Sequence, residues 1–203
     1  MSEGDPKGGR AVFRHHDFCA FVICRFLWTL GLQVQNVAIA WLVYLVTKDT
    51  LALGLIGLCA FIPTVPLSLV TGPAADRYDR RRIIVISCVV MVACGLTMLS
   101  LELGGALAPG RMLPIYLTVV VLGSARAFAN PAGQALMTNL VPDEEYQSAV
   151  AWNNTTNQIA SVSGPALGGL LVAFDTAVPF AFASGCFILA VVCLLYTSPS
   201  PRD

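Results

Sequence analysis

The residues with chemistry to offer are amides and two arginines set in apolar surroundings. Arg25, Thr29, Gln33 and Asn36 recur at i, i+4, i+8 and i+11. Arg126, Asn130 and Gln134 recur every four residues, and Asn153, Asn154, Asn157, Gln158 and Ser161 crowd a third stretch. Residues three and four apart share a helix face, so the spacing predicts three helices, each with a polar stripe. Amides and guanidinium groups solvate a polar solute; they do not break bonds. The stripes of Gln33, Asn36, Asn130, Gln134, Asn153, Asn154, Asn157 and Gln158 therefore predict a path for a polar or amphipathic molecule. The competing reading is hydrogen-bonded glue between helices.

Bond-breaking chemistry lacks its parts. The only histidines, His15 and His16, precede the first apolar stretch, so Ser163 beside Gly164 has no base within the membrane. The two histidines are expected in the headgroup region. No G-x-x-x-x-G-K-S/T phosphate loop occurs. The cysteines number seven, an odd count, and form neither CxxC nor a Cys/His ligand spacing, so they read as small apolar packing residues. No enzyme activity, metal or cofactor is expected. Formal net charge is zero, and no bulk field favours nucleic acid.

The elements that must position the stripes follow from composition. The 203 residues are 56% hydrophobic and 12% charged, about half the charge of a typical soluble domain. Much of such a surface must face lipid. A bilayer core of about 30 Å takes about 20 helical residues. Apolar runs divide the chain into predicted spans at about 18–46, 51–75, 83–103, 112–137, 146–174 and 178–196, separated by TKDT, DRYDRRR, GGALAPGR, VPDEE and DTAVP. The runs are long and do not alternate with period two, so helices rather than barrel strands are expected. The predicted class is an all-α integral membrane bundle of six transmembrane helices.

Lys7, Arg10, Arg14, Arg77, Arg80, Arg81 and Arg82 flank one side of these spans, against Lys48 and Arg111 on the other. That asymmetry places the N-terminus in the cytoplasm. Residues 1–17 read as a retained cytoplasmic tail rather than a signal peptide, and 18–192 as the bundle. Residues 193–203, CLLYTSPSPRD, resemble one reading frame of a transposon-end sequencing adaptor and are expected to be non-native. The competing expectation is a polar linker whose helix ends at Pro199 and Pro201. Pro63, Pro66, Pro131 and Pro165 fall within predicted spans, where each removes a backbone hydrogen bond and favours a kink.

Charge at membrane depth is costly and therefore informative. Arg25 lies about two turns into the first helix, within snorkelling reach of the interface. Arg126 lies about 16 Å from the near end of helix four, too deep to snorkel, and is expected to face the interior with an acceptor. No carboxylate lies at mid-membrane: Glu102 is at the outer end of helix three and Asp76 at the inner end of helix two. A proton-coupled carrier needs a titrating group linked to substrate affinity, and these spans offer no obvious one.

Between spans two and three, Gly72, Asp76, Arg77, Arg80 and Arg81 stand in GPAADRYDRRR. The string closely resembles the major facilitator signature loop, G-x-x-x-D-R-x-G-R-R/K, with Asp79 at the usual glycine. Asp79 is a candidate N-cap for helix three. Gly164, Pro165, Gly168 and Gly169, in SGPALGGL, are similar to the GPxxGG core of the superfamily's antiporter motif, with Ala160 where a further glycine is expected. Arg126 matches the helix-four arginine of the superfamily. The resemblance implies that it joins an inner network with the loop aspartate, Asp76, or serves coupling. Phrases such as QVQNVAIAWLVYLVT and FANPAGQALMTNLVPDEE resemble the branch of bacterial drug and siderophore exporters.

What the resemblance implies is one N-terminal six-helix half of a carrier in the bacterial inner membrane. Such a carrier exports small amphipathic molecules by alternating access, with proton motive force as its drive. Its partners are then the lipid bilayer, a small-molecule substrate and a C-terminal six-helix half, without which the fragment is expected to be inactive. The runner-up is an uptake permease or proton symporter of the same fold.

Overall fold

With no water in the hydrocarbon core, backbone polar groups must be satisfied within each segment, which leaves helices for runs of this length. A computed structural model of the chain describes residues 16–67, 71, 78–105, 112–142 and 144–196. Six helices follow in order: α1 His16–Thr47, α2 Thr50–Phe61, α3 Arg80–Leu103, α4 Leu113–Leu140, α5 Tyr146–Phe174 and α6 Val178–Tyr196. Five membrane candidates are long and apolar by composition, the second of them running Thr50–Leu67. The remaining helix, α5, has 29 residues, about 44 Å of length, but carries the amides. Gly72, Asp76 and Arg77 lie outside the described residues, as do Lys7, Arg10, Arg14, His15, Arg111, Asp143 and the end of the tail from residue 197.

Acidic caps start two of the helices. The Leu51 amide donates to Asp49 Oδ1 at 3.0 Å, and the Arg81 amide donates to Asp79 Oδ1 at 2.9 Å. Asp79 thus serves as the N-cap of α3, the role its side chain predicted. The prolines act unequally. The second span breaks at Ile62–Pro63 and resumes toward Leu67, whose amide donates to Pro63 O at 3.2 Å. Helices α4 and α5 run unbroken through Pro131 and Pro165.

The central element is α1, packed along both α5 and α6, while α3 joins α4 to α6 and α2 leans on α4. The core runs between α1, α3, α4 and α6. Phe180, Phe187, Met91, Met98 and Ile115 are fully buried there, and Trp28 meets Phe187 edge-on with ring centroids 6.0 Å apart. Directions follow from the pairings. Arg80 of α3 reaches Ala135 near the end of α4, and Arg81 reaches the last turn of α6, so α3 runs opposite to both. Thr176, just before α6, donates to Glu102 at the far end of α3. Consecutive spans therefore alternate in direction here, as membrane crossings must.

Candidate polar path and its supporting seam

The seam between α1 and α5 is built from side chains at matching heights. Thr29 Oγ1 donates to Asn157 Oδ1 at 2.8 Å. One turn on, Gln33 Nε2 lies 3.3 Å from Ser161 Oγ and 3.4 Å from Ser161 O. Pro165 explains the second contact. A proline has no N–H, so the carbonyl four residues before it loses its helical donor; that carbonyl is Ser161 O. Gln33 supplies a replacement from the neighbouring helix, as membrane helices require. A double-mutant cycle checks this link. Gln33→Ala alone should cost about 1 kcal/mol of bundle stability. In a Pro165→Ala background, where residue 165 itself donates to Ser161 O, the cost should fall by about 0.5 kcal/mol or more.

Small residues let the two backbones approach. A Cβ on Gly164 would stand 2.5 Å from Gln33 Cβ, and one on Gly168 would stand 3.1 Å from Val37 Cβ. Ala160 is fully buried on the same face. Gly169, by contrast, has nothing within 4 Å of a Cβ position, and Pro165 is exposed. The GPxxGG string thus divides. Gly164 and Gly168 form the seam, while Pro165 and Gly169 face outward.

The amides of α5 share one broad arc of the helix, and that arc runs from the buried seam to the open face. Asn153 is buried, and its Oδ1 has no partner among the described residues. Asn157 is tied to Thr29. Asn154 and Gln158 are exposed, as are Asn130 and Gln134 on α4 and Asn36 on α1. Asn36 Nδ2 donates to Gln33 Oε1 at 3.4 Å, which links the open face to the seam. Asn36 also lines a cavity of about 230 Å³ between α1, α2 and α4, together with Arg126, Ile39, Ile56, Ala60 and Leu122. Arg126 has no hydrogen bond or ion pair among the described residues. Asp76, its expected network partner, lies outside them.

Arg25 turns inward rather than standing free at an interface. Its Nη1 lies 3.0 Å from where a Gly133 Cβ would stand, so the bare backbone of α4 makes room for the guanidinium. Its Nε is buried with no partner among the described residues. The basic cluster acts on helix ends. Arg80 Nη1 donates to Ala135 O at 2.9 Å, and Arg81 Nη2 donates to Leu194 O at 2.5 Å and Leu195 O at 2.9 Å. The last carbonyls of a helix lack donors and carry its negative pole; Leu194 O and Leu195 O are among them, so Arg81 holds the end of α6, while Arg80 ties the start of α3 to Ala135, five residues before the end of α4. Arg82 pairs with Asp79 at 3.4 Å in the open, a contact worth little.

Three features have no mark in the residue pattern. Gly123 lets α2 approach so closely that a Cβ there would stand 2.4 Å from Ala60 O. Gly133 houses Arg25. Gln35 of α1, off the face of the polar stripe, is fully buried, and neither of its amide atoms has a partner among the described residues. The spacing Pro165 minus four, which names Ser161, was the one available signal for the Gln33 contact.

The family of transmembrane secretion effectors matches residues 7–202. Among similar proteins, the staphyloferrin A transporter of Staphylococcus aureus is 27% identical over 178 residues, covering 86% of this chain and 44% of the relative. The enterobactin exporter EntS of Shigella dysenteriae is 30% identical over 197 residues, covering 93% of this chain and 46% of the relative. An uncharacterised MFS-type transporter, YfiS of Bacillus subtilis, is 29% identical over 143 residues, covering 70% and 32%. The chain spans under half the length of these relatives.

Proposed function

The chain belongs to the transmembrane secretion effector family of major facilitator transporters, and on that premise we propose that it is one six-helix half of a secondary active exporter. The substrate class is a small amphipathic molecule, siderophore-like as in the named relatives. Transport proceeds by alternating access, with this bundle rocking against a second six-helix half, and proton motive force drives it. In this reading the protein sits in a bacterial inner membrane with its N-terminus and the Arg80–Arg82 cluster in the cytoplasm.

One observation carries the proposal. Asn36, Asn130 and Gln134 are exposed on helices apolar enough to cross a membrane, and Asn154 and Gln158 are exposed on α5, long enough at 29 residues to cross beside them. Exposed amides at that depth are costly against lipid. They are satisfied when the face they share lines a watery path closed by a second half. The narrow α1–α5 seam behind them supplies a stiff backing, so the bundle moves as a unit.

A chimera tests the reading. This chain replaces the part of the Shigella dysenteriae enterobactin exporter that it matches, in cells lacking that exporter. Enterobactin secretion is the expected result, collapsing when an uncoupler dissipates the proton gradient. The 203-residue chain alone is expected to secrete none. A membrane-inserted, folded chimera without export, or export by the chain alone, contradicts the proposal.

A further inference from the structure

We propose that Arg126 and Asn36 form a receiving site for the anionic end of an amphipathic substrate, a carboxylate or comparable oxyanion. This inference rests on the export reading above and sharpens its substrate class.

Four observations lead there. First, Arg126 occupies the middle of α4, 13 residues after Leu113 and 14 before Leu140, about 20 Å from either end. A guanidinium that deep cannot reach bulk water by extending its side chain. Second, it lines the cavity between α1, α2 and α4 and has no acceptor among the described residues. A charge at membrane depth calls for a partner. Third, every described carboxylate stands at or beside a helix end: Asp17, Asp49, Asp79, Glu102, Glu144, Glu145 and Asp175. None is placed to neutralise a guanidinium at mid-helix. Fourth, the rest of the lining suits a molecule with an apolar body. Ile39, Ile56, Ala60 and Leu122 supply the walls, and Asn36 supplies an amide on the facing helix.

The geometry selects the ligand's charge and size. Guanidinium presents paired N–H donors that match the two oxygens of a carboxylate, a charge-assisted contact roughly twice as strong as a neutral hydrogen bond. Only one bond of the Asn36 side chain is committed, its donation to Gln33, so an N–H and the carbonyl oxygen remain to orient the ligand. The cavity holds about 230 Å³, below the ~300–1,000 Å³ of pockets that enclose a whole drug-sized molecule. It therefore takes the acid-bearing end while the remainder lies along the exposed amides.

The test compares 2-naphthaleneacetate with its neutral counterpart, 2-naphthaleneethanol. Binding to the purified chain in a phospholipid-free maltoside detergent is measured by equilibrium dialysis. The acid is expected to bind about tenfold more tightly than the alcohol. Arg126→Gln should bring the two within about twofold, Arg126→Lys should keep part of the preference, and Asn36→Ala should weaken the acid about threefold. Helical content by circular dichroism shows that each variant is folded. Equal binding of acid and alcohol to the unaltered chain overturns the proposal without any variant. So does an acid preference that survives in folded Arg126→Gln. Displacement of the acid by phosphatidylglycerol, at amounts that leave the alcohol bound, assigns the site to a lipid headgroup and also overturns it. Failure of this test beside an exporting chimera rejects the anion site alone; success beside a silent chimera rejects the export reading and leaves the site.

Discussion

Gly164→Ala is expected to destabilise the bundle by about 3 kcal/mol, at the upper end of what one inserted methyl costs a well-packed contact. The new Cβ would fall 2.5 Å from Gln33 Cβ. That atom is bonded directly to the backbone of α1, so no rotamer change can withdraw it, and the helices themselves must separate. Separation stretches the Thr29–Asn157 bond and draws Gln33 off Ser161 O, leaving the carbonyl above Pro165 without a donor. Thermal unfolding in detergent measures the effect, and Gly169→Ala is its control. Gly169 lies in the same motif on the same helix, with nothing within 4 Å of its Cβ position. There the substitution should be neutral or slightly stabilising, because alanine is the better helix former by about 1 kcal/mol. Equal effects at the two positions would show that the motif does not act through the α1–α5 seam.

Gly123→Ala should be comparably damaging, by about 2–3 kcal/mol, for a different reason. Its Cβ would meet Ala60 O at 2.4 Å and Pro63 Cγ at 3.1 Å. A backbone oxygen and a proline ring are both rigid, so α2 must move away from α4. Because Ala60 and Gly123 also line the cavity beside Arg126, the variant should lose the cavity's shape along with stability. Gly54→Ala on α2, where a Cβ meets nothing within 4 Å, is the matched control and should leave the melting temperature within about 2 °C, since surface changes away from contacts stay within ~0.5 kcal/mol.

Parts of this architecture are legible in the residues and parts are not. Charged and proline-bearing breaks end membrane helices sharply, so the expected spans 146–174 and 178–196 coincide with Tyr146–Phe174 and Val178–Tyr196. The second span was harder to read. An apolar run continues through Pro63, and only the packed structure shows that the helix yields there while α4 and α5 absorb Pro131 and Pro165. The polar residues were legible by type but not by direction. Adjacent residues on a helix point about 100° apart, so Asn153 and Asn154 look alike in a string yet one is buried and the other exposed. Which face of α5 is inside depends on where α1 lies, and that is set by Gly164 and Gly168 meeting Gln33 and Val37. The acceptors of Arg80 and Arg81 did not show, because they are backbone carbonyls of Ala135, Leu194 and Leu195, and a carbonyl has no residue type to recognise.

In the proposed exporter the exposed amides of α1, α4 and α5 line a watery path within the membrane. Single cysteines placed at Asn36, Asn130, Gln134, Asn154 and Gln158, in a background from which the chain's seven cysteines have been removed, test this when labelled in membrane vesicles with a membrane-impermeant thiol reagent. Cysteines at Ile86 and Leu189, exposed on the apolar helices α3 and α6, serve as lipid-facing references. Labelling at the amide positions is expected to be about tenfold faster than at the references, since thiolate forms in water and not in hydrocarbon. Labelling at the amide positions as slow as at Ile86 and Leu189 would contradict it.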